Sequence, residues 1–285
     1  MDMSVVNELI SQNRYSDAIA LLEAVPSLEK NVVLWVQLGR CHAAVGAWGK
    51  AIETLKHAHN LDPSNPDVPQ RLFNASISAG LPREAQSFHD LCRNARIPEW
   101  RLLAQTAELL ICRGKMDKAR GAWTEATARC PVPDERRDVC WRVMDTLVRN
   151  GHPKEALEIM PGSGVVGEDA LMVKAAAYSR LGMKKDLVAV VDEAMTAGYS
   201  FPNWARYKAQ RACILGDFEG GAEILERHVT ENPGGATHLA MPAECLQRAG
   251  KPDRAVEYAR QARRTKPYTA YDADIVVRVL RANHL

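Results

Sequence analysis

A small turn residue returns at nearly constant spacing along this 285-residue chain. A period of that size leaves few folds open, because each short unit can bury its apolar face only against its neighbours. Gly46 is followed five positions later by Ala51, and Gly80/Ala85, Gly114/Ala119, Gly151/Ala156 and Gly250/Ala255 repeat the pair. Asn13 with Ala18 extends the series to the N-terminal end, while Gly182/Leu187 and Gly216/Gly221 keep the frame and lose the alanine. Successive turns lie 33, 34, 34, 37, 31, 34 and 34 residues apart. The 37 and 31 sum to twice 34, so one boundary slips while the register survives.

Between the turns, apolar residues fall at helical spacing. Residues 32–45 carry Val33, Trp35, Val36, Leu38, Cys41 and Val45, and residues 48–60 carry Ala51, Ile52, Leu55 and Ala58. Proline lacks an amide hydrogen and clashes with the preceding turn, so Pro63, Pro98, Pro131, Pro233 and Pro267, at nearly equal phase, end the second helix of each unit. Glycine at the turn admits the left-handed backbone of a tight helix–helix corner, and the small residue five positions on lets the two helices approach. No segment alternates as a strand would. With 46% hydrophobic but only 6% aromatic residues, the core is built from Ala, Leu and Val, and there is enough apolar surface to exclude wholesale disorder. The expected fold class is all-α.

The second unit, with Trp35, Leu38, Gly39, Ala51, Leu55, Ala58 and Pro63, resembles the tetratricopeptide repeat. Leu72, Ala85 and Pro98 continue the pattern, as do Ala119, Ala126 and Pro131; the fifth to seventh units depart further, retaining Tyr178, Ala194 and Pro233. The resemblance covers essentially the whole chain. It implies a right-handed α-solenoid of about eight helix pairs, with the first helix of each pair lining a concave side. A single domain over 1–285 is expected: an atypical N-terminal repeat at 4–31, central repeats over 32–267, and a C-terminal capping helix within 268–285. Ile275, Val276, Val279 and Leu280 give that last helix one apolar face.

The resemblance also points to a site. Six residues before each turn stand Arg40, Asn74, Glu108, Asp145, Ala176, Gln210 and Glu244; nine before stand Gln37, Arg71, Gln105, Arg142, Val173, Tyr207 and Met241. Gln70, Trp141, Met172 and Arg206 lie ten before, and Arg149, Arg180 and Arg248 two before. In tetratricopeptide proteins these phases face the groove, where Asn and Arg commonly hold peptide backbone or carboxylates, and Asn74 fits that habit. Gln70 stands where the lysine of a carboxylate clamp would be. The partner-binding set is therefore Arg40, Arg71, Asn74, Gln105, Glu108, Trp141, Asp145, Arg149, Arg180, Arg206, Tyr207, Gln210, Glu244 and Arg248. Arginine suits bidentate contact with carboxylates, and Trp141 and Tyr207 offer rigid contact area.

Signals for chemistry are sparse. Gly162–Gly167 spells GxGxxG, but a dinucleotide loop needs a preceding strand, and residues 154–160 read as a helix; the segment is a glycine-rich joint at the register slip. His57 and His59 face different directions on a helix, and Cys41 and His42 diverge by about 100° as adjacent helical residues. No catalytic residue, cofactor or metal is expected. The seven cysteines are odd in number and form no CxxC pair, which fits a reducing, cytoplasmic setting. The acids near Met1 do not suit a secretory signal, although a signal already removed stays open, and no apolar run spans a bilayer.

A net charge of +2 offers no global attraction for nucleic acid. Residues 248–285 sum to +5 and the first 34 to −3, so oppositely charged ends provide a route to self-association. The expectation is a non-catalytic scaffold that binds a peptide or partner protein in the groove. Two rivals stay open: an accessory subunit of a separate enzyme, such as a glycosyl- or sulfotransferase, and an RNA-binding helical-repeat protein.

Overall fold

The structure is a computed structural model describing residues 3–25, 32–199, 204–231, 239–264 and 270–284. Among these residues there is no strand, and the helices fall into eight consecutive pairs. They are α1 (Met3–Ser11) with α2 (Tyr15–Glu23), α3 (Val32–Ala44) with α4 (Trp48–Leu61), α5 (Asp67–Ser78) with α6 (Pro82–Asn94), and α7 (Glu99–Cys112) with α8 (Met116–Arg129). There follow α9 (Pro133–Arg149) with α10 (Pro153–Ile159), α11 (Gly167–Leu181) with α12 (Lys184–Thr196), α13 (Trp204–Ile214) with α14 (Phe218–Glu231), and α15 (Ala240–Arg248) with α16 (Pro252–Arg264). A lone helix, α17 (Ala270–Ala282), closes the series. The chain is an all-α helical-repeat solenoid.

The eight corners are built alike. Asn13 and the seven turn glycines all have positive φ, from 57° at Asn13 to 92° at Gly216. At each corner the next residue donates its N–H to the carbonyl five positions back: Ala47 to His42 at 2.8 Å, Leu81 to Ser76 at 2.9 Å, Asp217 to Ala212 at 2.9 Å. This is the Schellman arrangement, which satisfies carbonyls the helix end would leave open. The second helix then starts one residue later, placing the small residue of the motif against the first helix, where Ala18, Ala51, Ala85, Ala156 and Ala255 have no exposed surface. The two departures from alanine have different causes. Leu187 is also buried. At Gly221 a Cβ would sit 2.9 Å from Cys213 Sγ and 3.1 Å from the Ala209 carbonyl oxygen, so that corner is too tight even for a methyl group.

The register slip has a plain origin. Helix α9 is 17 residues long, so its corner comes late, and α10 has only 7 before a short 3₁₀ turn at Met160–Gly162. Ser163 tightens the joint, donating through Oγ to the Met160 carbonyl (2.7 Å) and accepting from the Val165 N–H (3.1 Å).

By compactness the chain forms two units. One is Ser64–Tyr199; the other combines Met1–Pro63 and Ser200–Leu285. In the first, a cluster through α7–α11 centres on Val143, Met144 and Leu147. In the second, α1–α3 pack around Val6, Leu22 and Leu38, and a C-terminal cluster buries Ile275, Val276, Val279 and Leu280 of α17 against α15 and α16. These four residues are the apolar face expected of the last helix. The expected stops at Pro233 and Pro267 lie outside the described residues.

Candidate protein-binding site

Successive first helices are stitched by side chains about one repeat apart. In the Ser64–Tyr199 unit, Arg101 on α7 donates to Gln70 of α5 (3.4 Å) and to Glu135 of α9 (2.9 Å). Arg142 on α9 donates to Glu108 of α7 at 2.6 Å, and Arg149 reaches across two repeats to the Ser78 carbonyl (3.2 Å), at the C-terminal end of α5. Cations at that end complement the helix dipole. In the other unit Arg278 of α17 pairs with Glu244 of α15 at 3.1 Å.

Three expected contact residues lie off the open surface. Gln105 is 3% exposed; its carbonyl lies 3.0 Å from His89 Nδ1 and its amide donates to Cys92 Sγ. Glu108 is also 3% exposed and is held by Arg142, with Thr146 Oγ1 at 3.5 Å. Tyr207 is buried, edge-on to Trp204 with 5.9 Å between ring centres. All three are buried, although Arg40, Arg71 and Asp145 at the same phases are at least partly open. Burial pushes the Glu108 carboxyl above the usual carboxylate range, and Arg142 pulls it back. Against its own burial, the charges of Glu108 and Asp138 raise Arg142 further.

The remaining expected residues are at least partly open. Arg40 is exposed and bonded to Gln37 (2.7 Å); Arg71 lies 3.9 Å from Asp67; Asp145 holds Arg149 at 2.7 Å. Arg180 is exposed, Arg206 lies 6.0 Å from the Tyr207 ring centre, Glu244 is partly buried against Arg278, and Arg248 sits 4.3 Å over the Phe218 ring. Asn74 Oδ1 and Gln210 Oε1 are buried without a hydrogen-bond partner among the described residues.

Trp141 has the most distinctive surroundings. It lines a cleft of about 380 Å³ together with Asp134, Arg137, Asp138, Val165, Val166 and Asp169. Its Nε1 is buried and lacks a partner among the described residues, while Val166 beside it is 67% exposed. Arg137 pairs with Asp134. Burial, then the charge of Asp138, raise the Asp169 carboxyl against the pull of Arg137. Sequence reasoning found Trp141 but not its neighbours. The signal for them was the register slip: the lengthened α9 supplies Asp134–Asp138, and the joint after the shortened α10 supplies Val165 and Val166.

The Gly162–Gly167 segment runs from a 3₁₀ turn into α11, with Gly164 and Gly167 at positive φ. Cys41 is buried and its thiol is pushed up to about 11 by that burial, the opposite of an activated nucleophile. Among the described residues no three His, Cys, Asp or Glu side chains group as metal ligands, and no described helix is long and apolar enough to cross a membrane. Several charges of the basic C-terminal segment are matched within its own unit: Lys251 by Glu219, Arg254 by Glu226, and Arg278 by Glu244 and Asp274.

No family model and no curated protein matches the chain. Solved structures do. A tetratricopeptide repeat protein from Parabacteroides merdae aligns over 87% of this chain and 98% of its own, with a TM-score of 0.53 at 12% identity. A chain of the APC/C hetero-tetramer Cut9–Hcn1 aligns over 95% of this chain, with a TM-score of 0.62 at 12% identity; this chain spans 53% of it. The fold is that of tetratricopeptide-repeat proteins.

Proposed function

We propose that the chain is a non-catalytic protein-interaction scaffold. It docks an extended segment, or a helix, of a partner protein on the first-helix face, with the Trp141 cleft as the anchor. The observation that carries this reading is the cleft itself. An indole wall, an exposed Val166 and a net excess of carboxylate fit a segment presenting Lys or Arg next to an apolar residue. A cation over an indole face gains about 0.5–2 kcal/mol. Arg71, Asp145, Arg149 and Arg180 belong to this surface as flanking contacts. In the other unit Arg40, Arg206, Gln210, Glu244 and Arg248 form a separate proposed contact region. Because most of these arginines already have partners, the cleft selects the ligand and the arginines orient it. The odd cysteine count without a CxxC pair supports action in a reducing compartment such as the cytoplasm.

The test is panning of a random peptide phage library on the full chain, followed by calorimetry with the selected peptides. Binders should be enriched in Lys or Arg beside an apolar residue. Trp141→Ala and Asp138→Asn/Asp169→Asn should each weaken binding at least about tenfold with the helical signal unchanged, consistent with the loss of a hot-spot contact. Peptides that bind these variants as tightly as the native chain would refute the assignment.

A further inference from the structure

Cys213 lies in the last turn of α13 and Cys245 on α15, first helices of consecutive repeats. Their Sγ atoms are 2.9 Å apart, and the residues are separated by 32 positions in the chain. A disulfide bond is about 2.05 Å long, so a mutual approach of under about 1 Å closes it. The corner is shaped around this pair. Gly221, which takes the place of the repeat's alanine, leaves the volume that Cys213 Sγ occupies; a Cβ there would lie 2.9 Å from the sulfur. The two thiols differ in access, since Cys213 is half-buried and Cys245 is 4% exposed. With Cys245 as donor, the hydrogen bond between them holds the Cys213 thiol below its ordinary value against the opposing effect of burial, and Arg248 adds to the lowering. The same contact and burial push Cys245 up.

We propose that Cys213 and Cys245 are a reversible oxidation site, in which thiol–disulfide exchange with a small-molecule disulfide staples α13 to α15. Cys213, as thiolate, attacks one sulfur of glutathione disulfide; the glutathione S–S bond breaks and one glutathione thiolate leaves. Cys245 loses its proton and attacks the Cys213 sulfur of the mixed disulfide, displacing the second glutathione thiolate. Two protein thiols are oxidised to one disulfide, one glutathione disulfide is reduced to two glutathiones, and the two protons end on them. The low-pKa, accessible partner attacks and the buried partner resolves, the usual division of labour in such pairs. The staple fixes the spacing of two first helices beside Gln210 and Glu244. It does not depend on what, if anything, binds there.

The experiment incubates the full chain with excess glutathione disulfide, alkylates the free thiols, and maps tryptic peptides without reduction. Trypsin cuts after Arg211, Arg227 and Arg248, placing the two cysteines on the adjacent peptides 212–227 and 228–248. The expected result is a species joining those two peptides, with five of the seven cysteines still alkylated. Dithiothreitol should reverse it, and the oxidised chain should melt at a higher temperature. Cys213→Ser and Cys245→Ser should each abolish the joined species and the melting shift. Persistence of a glutathione adduct on Cys213, pairing of other cysteines, or full alkylation of both would each overturn the proposal. The mapping on the native chain decides the matter even if a serine variant misfolds.

Discussion

Replacing Arg142 with methionine tests the buried stitching directly. Glu108 is 3% exposed, and its strongest partner is the Arg142 guanidinium at 2.6 Å. Removing one member of a buried ion pair leaves an uncompensated charge and costs about 3–5 kcal/mol. At about 2–4 °C per kcal/mol for a chain of this order, the melting temperature should fall by on the order of 10 °C at neutral pH. The loss should also depend on pH. Burial already holds Glu108 above the ordinary carboxylate range, and without Arg142 it rises further. A folded-state pKa above the unfolded one, about 4.3, gives stability that is complete below the unfolded value and drains away as pH climbs through the folded value. The deficit of Arg142→Met relative to the native chain therefore grows as pH climbs past the native Glu108 value, which itself lies above the unfolded one, and shrinks on acidification. Adding Glu108→Gln should recover most of it, because neither charge then remains. Urea titrations of the native chain, both single variants and the double variant at pH 5 and 7.5 measure the coupling. A loss under about 1 kcal/mol at pH 7.5, or one equal at the two pH values, refutes the reasoning, since a buried carboxylate stripped of the cation bonded to it cannot behave so.

Two further perturbations follow from the packing. Gly221→Ala places a Cβ 3.1 Å from a backbone oxygen and should destabilise by about 1–3 kcal/mol; Gly121→Ala, on the exposed face of α8 with nothing within 4 Å, should stabilise by about 0.5–1 kcal/mol. Thermal melts of the pair would separate close approach from helix propensity. His42 is 4% exposed, and burial, followed by Lys50, lowers its pKa against the pull of Glu23. Its neutral form contributes stability above the unfolded value near 6.5 that is lost as pH falls, so the native chain should lose more stability than His42→Leu between pH 7.5 and 5.5; equal losses would show that His42 is not the titrating group.

The corners were legible because glycine and asparagine at fixed phase have a conformational meaning that no neighbour alters. Helices α3 and α4 fell where the 3.6-residue pattern put them. The burial of Gln105, Glu108 and Tyr207 was not legible: phase within a repeat specifies which side of a helix a residue occupies, but not which neighbouring side chains close over it. The proximity of Cys213 and Cys245 was equally hidden, since 32 residues separate them and no local spacing pattern marks the pair. Gly221 in place of alanine was visible, and its meaning appeared only once the sulfur beside it was located.

The lengthened α9 and curtailed α10 bear on how a uniform array addresses a ligand. Identical modules present the same surface at every step, so a bound strand could slide by one module at little cost. A place where two neighbouring modules are unequal removes that degeneracy: a ligand seated at Trp141, as proposed above, would have one alignment, and the contacts flanking it would thereby be numbered.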